Sequence, residues 1–165
     1  MSILKVLTDN EVETLEESET SSPLRIISTP TLITEGVRDL VRDMKETMLS
    51  LNGIGLAAPQ VGVNLRVIVI IVTGQLSSSV TTSPPVQEMI NPVITSYSSE
   101  DVEIEEGCLS IPGEYLKIKR PHRIHVKFQD LSGKYKKWNL KGLEARVVQH
   151  EIDHLDGILM TDEGL

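Results

Sequence analysis

Residues 149–157 read Gln-His-Glu-Ile-Asp-His-Leu-Asp-Gly and hold His150, Glu151 and His154 in HExxH spacing. On an α-helix this spacing places two imidazoles one turn apart, with a carboxylate beside the first. That is the beginning of a metal site with its own proton carrier. Two histidines do not complete it, because a catalytic site takes three protein ligands and keeps a fourth position for water or substrate. HExxH also arises by chance on surface helices that carry one partly buried histidine. The flanking residues weaken that reading. Leu143 and Val147 share a helical face with His150, Glu151 and His154, while Leu140, Val148, Ile152 and Leu155 occupy another. A helix apolar on two sides is buried, and buried histidines need partners.

The third ligand must therefore be found elsewhere. Metalloproteases that extend the motif to HExxHxxGxxH place a histidine where this chain has Met160, and a thioether is a poor ligand for a hydrolytic metal. Eleven residues follow His154, too few for a further helix to return with a glutamate, so the ligand is expected upstream. The candidates are His122, His125, Cys108 and many carboxylates. His122 and His125 are an odd number apart on an expected strand and point to opposite faces. Cys108, within Glu106-Gly107-Cys108-Leu109-Ser110, has the better setting: it follows a strand, and Gly107 permits close backbone approach. A lone cysteine is more often a small core residue. The residues by themselves leave both readings open.

These side chains need elements to position them. Val37, Leu40, Val41, Met44, Met48 and Leu51 recur at helical spacing, with Thr34 as N-cap and Gly53 past the end, which predicts an amphipathic helix over Thr34–Leu51. Arg66–Thr73 is rich in β-branched residues and reads as a buried strand. Met89–Thr95 and Val102–Glu106 read as short strands. Arg123–Gln129 alternates apolar and polar residues, and Tyr135–Leu140 returns beside it after a turn at Leu131–Lys134. The HExxH residues fall on a last helix, Leu143–Leu155, stopped by Gly157. Asp9–Ser22 and Gly74–Pro85 read as a mobile insert and a flexible connection. The expected fold is α+β: mostly antiparallel strands packed around a buried C-terminal HExxH helix, with one amphipathic N-terminal helix, in a single catalytic domain over residues 1–165.

Composition narrows the class. With 39% hydrophobic and 24% charged residues among 165, the chain suits one soluble globular domain. A net charge of −8 disfavours a general nucleic-acid surface, and no basic stripe is visible. The densest positive stretch, Lys117–Arg123, is broken by Ile118, Pro121 and His122 and reads as a solvated strand end. No direct nucleic-acid or membrane binding is indicated. The N-terminus lacks a secretory signal pattern, and one cysteine allows no internal disulfide, so a cytoplasmic setting is expected.

Three separated motifs resemble those of the peptide deformylases: Gly53-Ile54-Gly55-Leu56-Ala57-Ala58-Pro59-Gln60, Glu106-Gly107-Cys108-Leu109-Ser110, and Gln149-His150-Glu151-Ile152-Asp153-His154. They stand in the family's order and at roughly its spacing. The resemblance implies that Cys108, His150 and His154 hold one divalent metal, typically Fe²⁺, for which nickel, cobalt or zinc substitutes. It implies Glu151 as proton carrier, and the Leu109 N–H and Gln60 amide as oxyanion donors. The implied reaction is removal of the formyl group from N-formylmethionyl nascent peptides, releasing formate, at the ribosome or free of it.

Ile54, Gly55 and Gly107 are candidates for contact with a peptide lying along the backbone as a strand. Leu143 and Val147 are candidate walls of a methionine pocket, or ordinary core. The family often has an arginine a few residues after the cysteine motif that helps hold the peptide. Here Gly113-Glu114-Tyr115-Leu116-Lys117 follows instead. An HExxH metallopeptidase and a non-enzymatic metal-binding protein are the alternatives, and a required Cys108 ligand separates the first of these from a deformylase.

Overall fold

The computed structural model describes residues 2–9, 22–72 and 85–163. Helix α1 spans Glu35–Ser50, and the Thr34 hydroxyl accepts from the Val37 N–H at 3.2 Å, as the sequence predicts. Its buried side, Val37, Val41, Met44, Thr47 and Met48, follows the apolar periodicity. Seven strands follow: β1 Gly55–Ala57, β2 Val67–Ile71, β3 Val86–Tyr97, β4 Asp101–Cys108, β5 Ile111–Pro121, β6 Arg123–Gln129 and β7 Tyr135–Lys141. Helix α2, Gly142–Leu155, carries the HExxH residues, and a short α3 covers Met160–Glu163.

Five strands form one antiparallel sheet in the order β1-β2-β3-β6-β7, and β4 with β5 forms a separate hairpin. The α+β class with mostly antiparallel strands is therefore borne out. Alternation along β2 explains its unbroken apolar run. Ile68 and Ile70 pack with Val147, Val148, Ile152 and Leu155 of α2, and Val67 and Val69 pack with Val41, Met44 and Met48 of α1. At the β6–β7 end only the α2 side is covered: Ile124, Val126 and Phe128 are buried, while Arg123, His125 and Lys127 between them are exposed.

Three strand expectations need correcting. β3 runs well beyond Met89–Thr95, because a bulge at Asn91, with φ of 52°, lets it bend and continue pairing. β1 is too short to give a periodic signal. β5 is longer than the solvated strand end expected at Lys117–Arg123: it starts at Ile111, and pairing with β4 holds Pro112, Gly113 and Glu114, poor strand formers, within it. The stretch Lys117–Arg123 is thus the second half of β5, a corner at His122 and the start of β6. Of Asp9–Ser22 and Gly74–Pro85, residues 10–21 and 74–84 lie outside the described residues.

Candidate active site

Helix α2 presents His150, Glu151 and His154 inward, all buried. The β4–β5 turn brings Cys108 to them, with its Sγ 3.3 Å from His154 Nε2. One ligand atom from each of Cys108, His150 and His154 lies within 4.8 Å of the others. An ion bound at about 2.0–2.3 Å in a tetrahedron separates its ligands by about 3.3–3.8 Å, so this cluster needs little adjustment to close on one. A thiolate with two imidazoles suits a borderline or soft divalent transition ion, not an oxygen-seeking Mg²⁺ or Ca²⁺. The donor set fits a metal. His122 and His125 are not in the cluster, and His125 points outward from the sheet.

Behind the cluster, Glu106 Oε1 lies 2.8 Å from His150 Nδ1, which leaves Nε2 as the ring atom free to bind. Arg120 donates to the same carboxylate from Nε at 2.6 Å and from Nη2 at 3.0 Å, and Arg146 donates to it as well. Arg120 also bonds Asp153 at 2.8 Å, which ties β5 to α2. Burial alone would raise the Glu106 carboxyl, but its bonds from His150 and Arg120 prevail and hold it at about 2. Burial likewise opposes charge on His150, yet Cys108 and Glu106 outweigh it and raise the imidazole to about 10. His154, buried and facing His150, is pushed well below the usual histidine range. The anionic surroundings thus favour a positive charge at the centre of the cluster.

Glu151 is different. Its Oε2 is buried with no hydrogen-bond partner among the described residues. Burial, the largest influence, pushes its carboxyl up to about 7, the range of a working acid–base group. Gly55 makes room for it: a Cβ there would sit 2.7 Å from Glu151 Oε1 and 2.8 Å from Val147 Cγ1.

Gln60 lies on a 3₁₀ turn, Ala58–Val61, directly after β1. Its Oε1 accepts from the Ala57 N–H at 2.9 Å, which turns Nε2 toward Ser110 Oγ at 3.1 Å and Cys108 Sγ at 3.7 Å. The N-terminal segment fastens both sides, since Leu7 N–H donates to the Gln60 carbonyl and Asp9 N–H to that of Ser110. Above these groups opens a cavity of about 500 Å³ lined by Ile54, Gly55, Gln60, Gly107, Cys108, Leu109, Leu143, Val147, His150 and Glu151, among others. Leu143 is 48% exposed and Val147 is buried, so the first stands at the mouth and the second in the wall.

A family model described as polypeptide deformylase matches residues 11–164. The chain belongs to this family. It is 50% identical over 133 residues to the peptide deformylase of Dictyoglomus thermophilum, covering 81% of this chain and 80% of that one. Its fold is similar to the crystal structure of a probable peptide deformylase from Synechococcus phage S-SSM7, with a TM-score of 0.83 and 43% identity over 97% of this chain and 99% of the other. It is also similar to a class I type b peptide deformylase from Acinetobacter baumannii solved with Met-Ala-Ser bound, with a TM-score of 0.81 and 33% identity, each chain covered to 98%.

Within this deformylase framework, sequence reasoning missed Glu106, Arg120, Arg146 and Ser110. One signal was available: Glu106 and Cys108 are two apart on a strand and so share a face. The two arginines gave none, because nothing local marks which of 16 cationic residues becomes buried. Gly53 acts differently from the expectation. Asn52, with φ of 55°, makes the left-handed exit from α1, and Gly53 instead leaves space for Leu109 Cδ1 and Met48. Gly107 lies under the Tyr115 ring, where a Cβ would meet Cε1 at 2.8 Å. Tyr115 thus lines the cavity, in the segment where the family often carries an arginine.

Proposed function

We propose that this chain hydrolyses the formamide bond of N-formylmethionyl nascent polypeptides, with Cys108, His150 and His154 holding one divalent metal. The observation that carries the reading is the meeting of those three side chains beside Gln60 and Glu151, with Gln60, Cys108, His150 and Glu151 lining a single cavity. The family's usual ion is Fe²⁺, with nickel, cobalt or zinc as substitutes. When bound, the ion acts as a Lewis acid and lowers the pKa of water.

The chain's own groups do the rest. Glu151 accepts a proton from the attacking water and delivers it to the departing amine, so formamide and water become formate and a free amino terminus. As the formyl carbon becomes tetrahedral, its oxygen gains negative charge. The Gln60 Nε2–H and the Leu109 backbone N–H stabilise that charge without a competing cation.

The peptide enters as a strand. Among the described residues β1 pairs only with β2, and β4 only with β5, so each offers an unpaired edge to the cavity. Ile54, Gly55 and Gly107 supply backbone contacts there. Val147 and Leu143 flank the methionine side chain. The buried HExxH helix, with the strands packed around it, forms the centre of one catalytic domain, residues 1–165, working in the cytoplasm on chains leaving the ribosome.

Formate release from formyl-Met-Ala-Ser by the metal-loaded protein tests the reading. Deformylation with the peptide bonds intact is expected. Cleavage of peptide bonds would favour a metallopeptidase, and metal binding without turnover would favour a non-enzymatic protein.

A further inference from the structure

We infer that the N-terminal crossing Leu7–Asp9 is a positioning element for the reaction: through main-chain hydrogen bonds it sets the two oxyanion donors at one separation. The inference rests on the proposed function, in which Gln60 and Leu109 are those donors. They stand on different bodies. Gln60 follows β1 of the five-stranded sheet, whereas Leu109 lies in the turn of the separate β4–β5 hairpin. Two donors stabilise one developing charge only when both point at the same oxygen, and a misplacement of about 1 Å can cost on the order of 10²-fold. Something must therefore hold the hairpin against the β1 turn.

On the side of the candidate metal ligands, α2 holds the hairpin. Asp153 takes Arg120 at 2.8 Å, Arg146 bonds Glu106, and Gln149 Nε2 donates to the Pro121 carbonyl at 2.9 Å. None of these bonds reaches Gln60. On the Gln60 side the crossing joins the two bodies. The Leu7 N–H donates to the Gln60 carbonyl at 2.7 Å, and the Asp9 N–H donates to the Ser110 carbonyl at 2.9 Å. One carbonyl belongs to the first donor residue, and the other to the residue directly after Leu109.

The crossing is itself anchored. Upstream, the Ser2 N–H and hydroxyl both donate to the Asp43 carboxylate at 3.1 Å, and the Leu4 N–H donates to Thr47 Oγ1 at 2.8 Å. Both acceptors belong to α1. Leu4 and Val6 pack against the core that α1 shares with β1 and β2. Leu7 packs instead against the cluster of Leu24, Ile111 and Ile118 under the hairpin, where Cys108 also packs. Half-buried side chains thus seat the segment in both cores, and its main chain spans the gap. None of Leu7, Thr8 and Asp9 lines the active-site cavity, so the crossing acts through Gln60 and Leu109 and not on the peptide. Proline deletes such a main-chain donor, whereas alanine at the same position keeps it.

The test is a double-mutant cycle on the metal-loaded full chain, read as kcat and KM for formyl-Met-Ala-Ser together with metal content. Leu7→Pro should lower kcat at least about tenfold, with KM and metal content near the parent values. In a Gln60→Ala background the same change should cost less than about twofold more, because the donor it positions is already gone. Leu7→Ala loses packing but keeps the N–H, and should retain at least about fivefold more kcat than Leu7→Pro. Asp9→Pro repeats the test from the Ser110 side should Leu7→Pro not fold, with the same fall in kcat expected. A kcat within about twofold of the parent in the proline variant overturns the inference. So does equal loss in Leu7→Ala, which would make the contact one of packing, or full additivity with Gln60→Ala. Failure of both proline variants to fold would make the crossing a support of the fold alone and overturns it too. Absent formate release by the parent chain would overturn the proposed function and this inference with it, whereas an active parent with indifferent proline variants overturns this inference alone.

Discussion

Glu106 Oε1 stands 2.8 Å from His150 Nδ1, and the same carboxylate also takes hydrogen bonds from Arg120 and Arg146. One buried anion therefore orients a candidate metal ligand and joins β4, β5 and α2. Its carboxyl, held at about 2 against an ordinary 4.5, contributes stability that is complete above about pH 4.5 and is lost as pH falls toward 2. Glu106→Gln should abolish that acid limb in urea unfolding of the metal-free protein. It should also cost on the order of 3 kcal/mol at pH 7, because both arginines lose their carboxylate. Parallel pH profiles for the two proteins would contradict the assignment.

Cys108 is the only thiol, and its Sγ sits beside His154 Nε2 at 3.3 Å. Cys108→Ser replaces a thiolate by a neutral hydroxyl. Metal content after dialysis should fall by most of its value, and turnover with it. Full metal and full turnover in this variant would remove Cys108 from the site.

Gln60 and Ser110 form a donor and its support. Gln60→Ala should lower kcat by about 10²–10³ with metal content unchanged, the usual cost of one lost oxyanion donor. Ser110→Ala leaves the donor in place but removes the acceptor that fixes Nε2. Its loss should be smaller and fall on kcat, with KM preserved. An effect of Ser110→Ala on KM alone would place it in peptide binding instead.

Gly55→Ala tests the space around Glu151. The added Cβ would meet Glu151 Oε1 at 2.7 Å and the stiff Val147 side chain at 2.8 Å. The carboxylate is the easier of the two to displace. Turnover should fall by at least about tenfold, while circular dichroism and metal content stay near the parent values. Unchanged turnover would show that the carboxylate can move without consequence.

Much of this was legible because it is local. α1 and its Thr34 cap, the β6 alternation and the HExxH spacing are periodic signals within a few residues of one another. Cys108 could be proposed as a ligand from an incomplete set. What makes it a neighbour of His154 is the β4–β5 hairpin, and the start of β5, with Pro112, Gly113 and Glu114, carries no strand propensity of its own. The Glu106 cluster was hidden for the same reason, since its members are 14, 40 and 44 residues apart in the chain. The cations of β6 and β7 are a further case: only the register of the two strands sets Arg123 opposite Lys141 and Lys127 opposite Lys137.

Glu151 separates metal binding from proton transfer. It adjoins His150 but is not among the three clustered ligand residues, and its Oε2 has no hydrogen-bond partner among the described residues. Burial raises its carboxyl to about 7, so ionising it costs the fold. In the metal-free protein, Glu151 should therefore cost nothing below about pH 4.5, and its penalty should grow as pH rises from there through 7. Glu151→Gln keeps the shape and removes the ionisation, so the variant should be the more stable of the two at pH 8, by on the order of 3 kcal/mol, with no advantage at pH 4. In the metal-loaded protein the same substitution should leave metal content near the parent value and reduce single-turnover formate release by roughly a hundredfold or more. Loss of the metal would make Glu151 a ligand. Retained turnover would assign the proton to another group, and a stability difference independent of pH would mean that the carboxylate is not held in an apolar site.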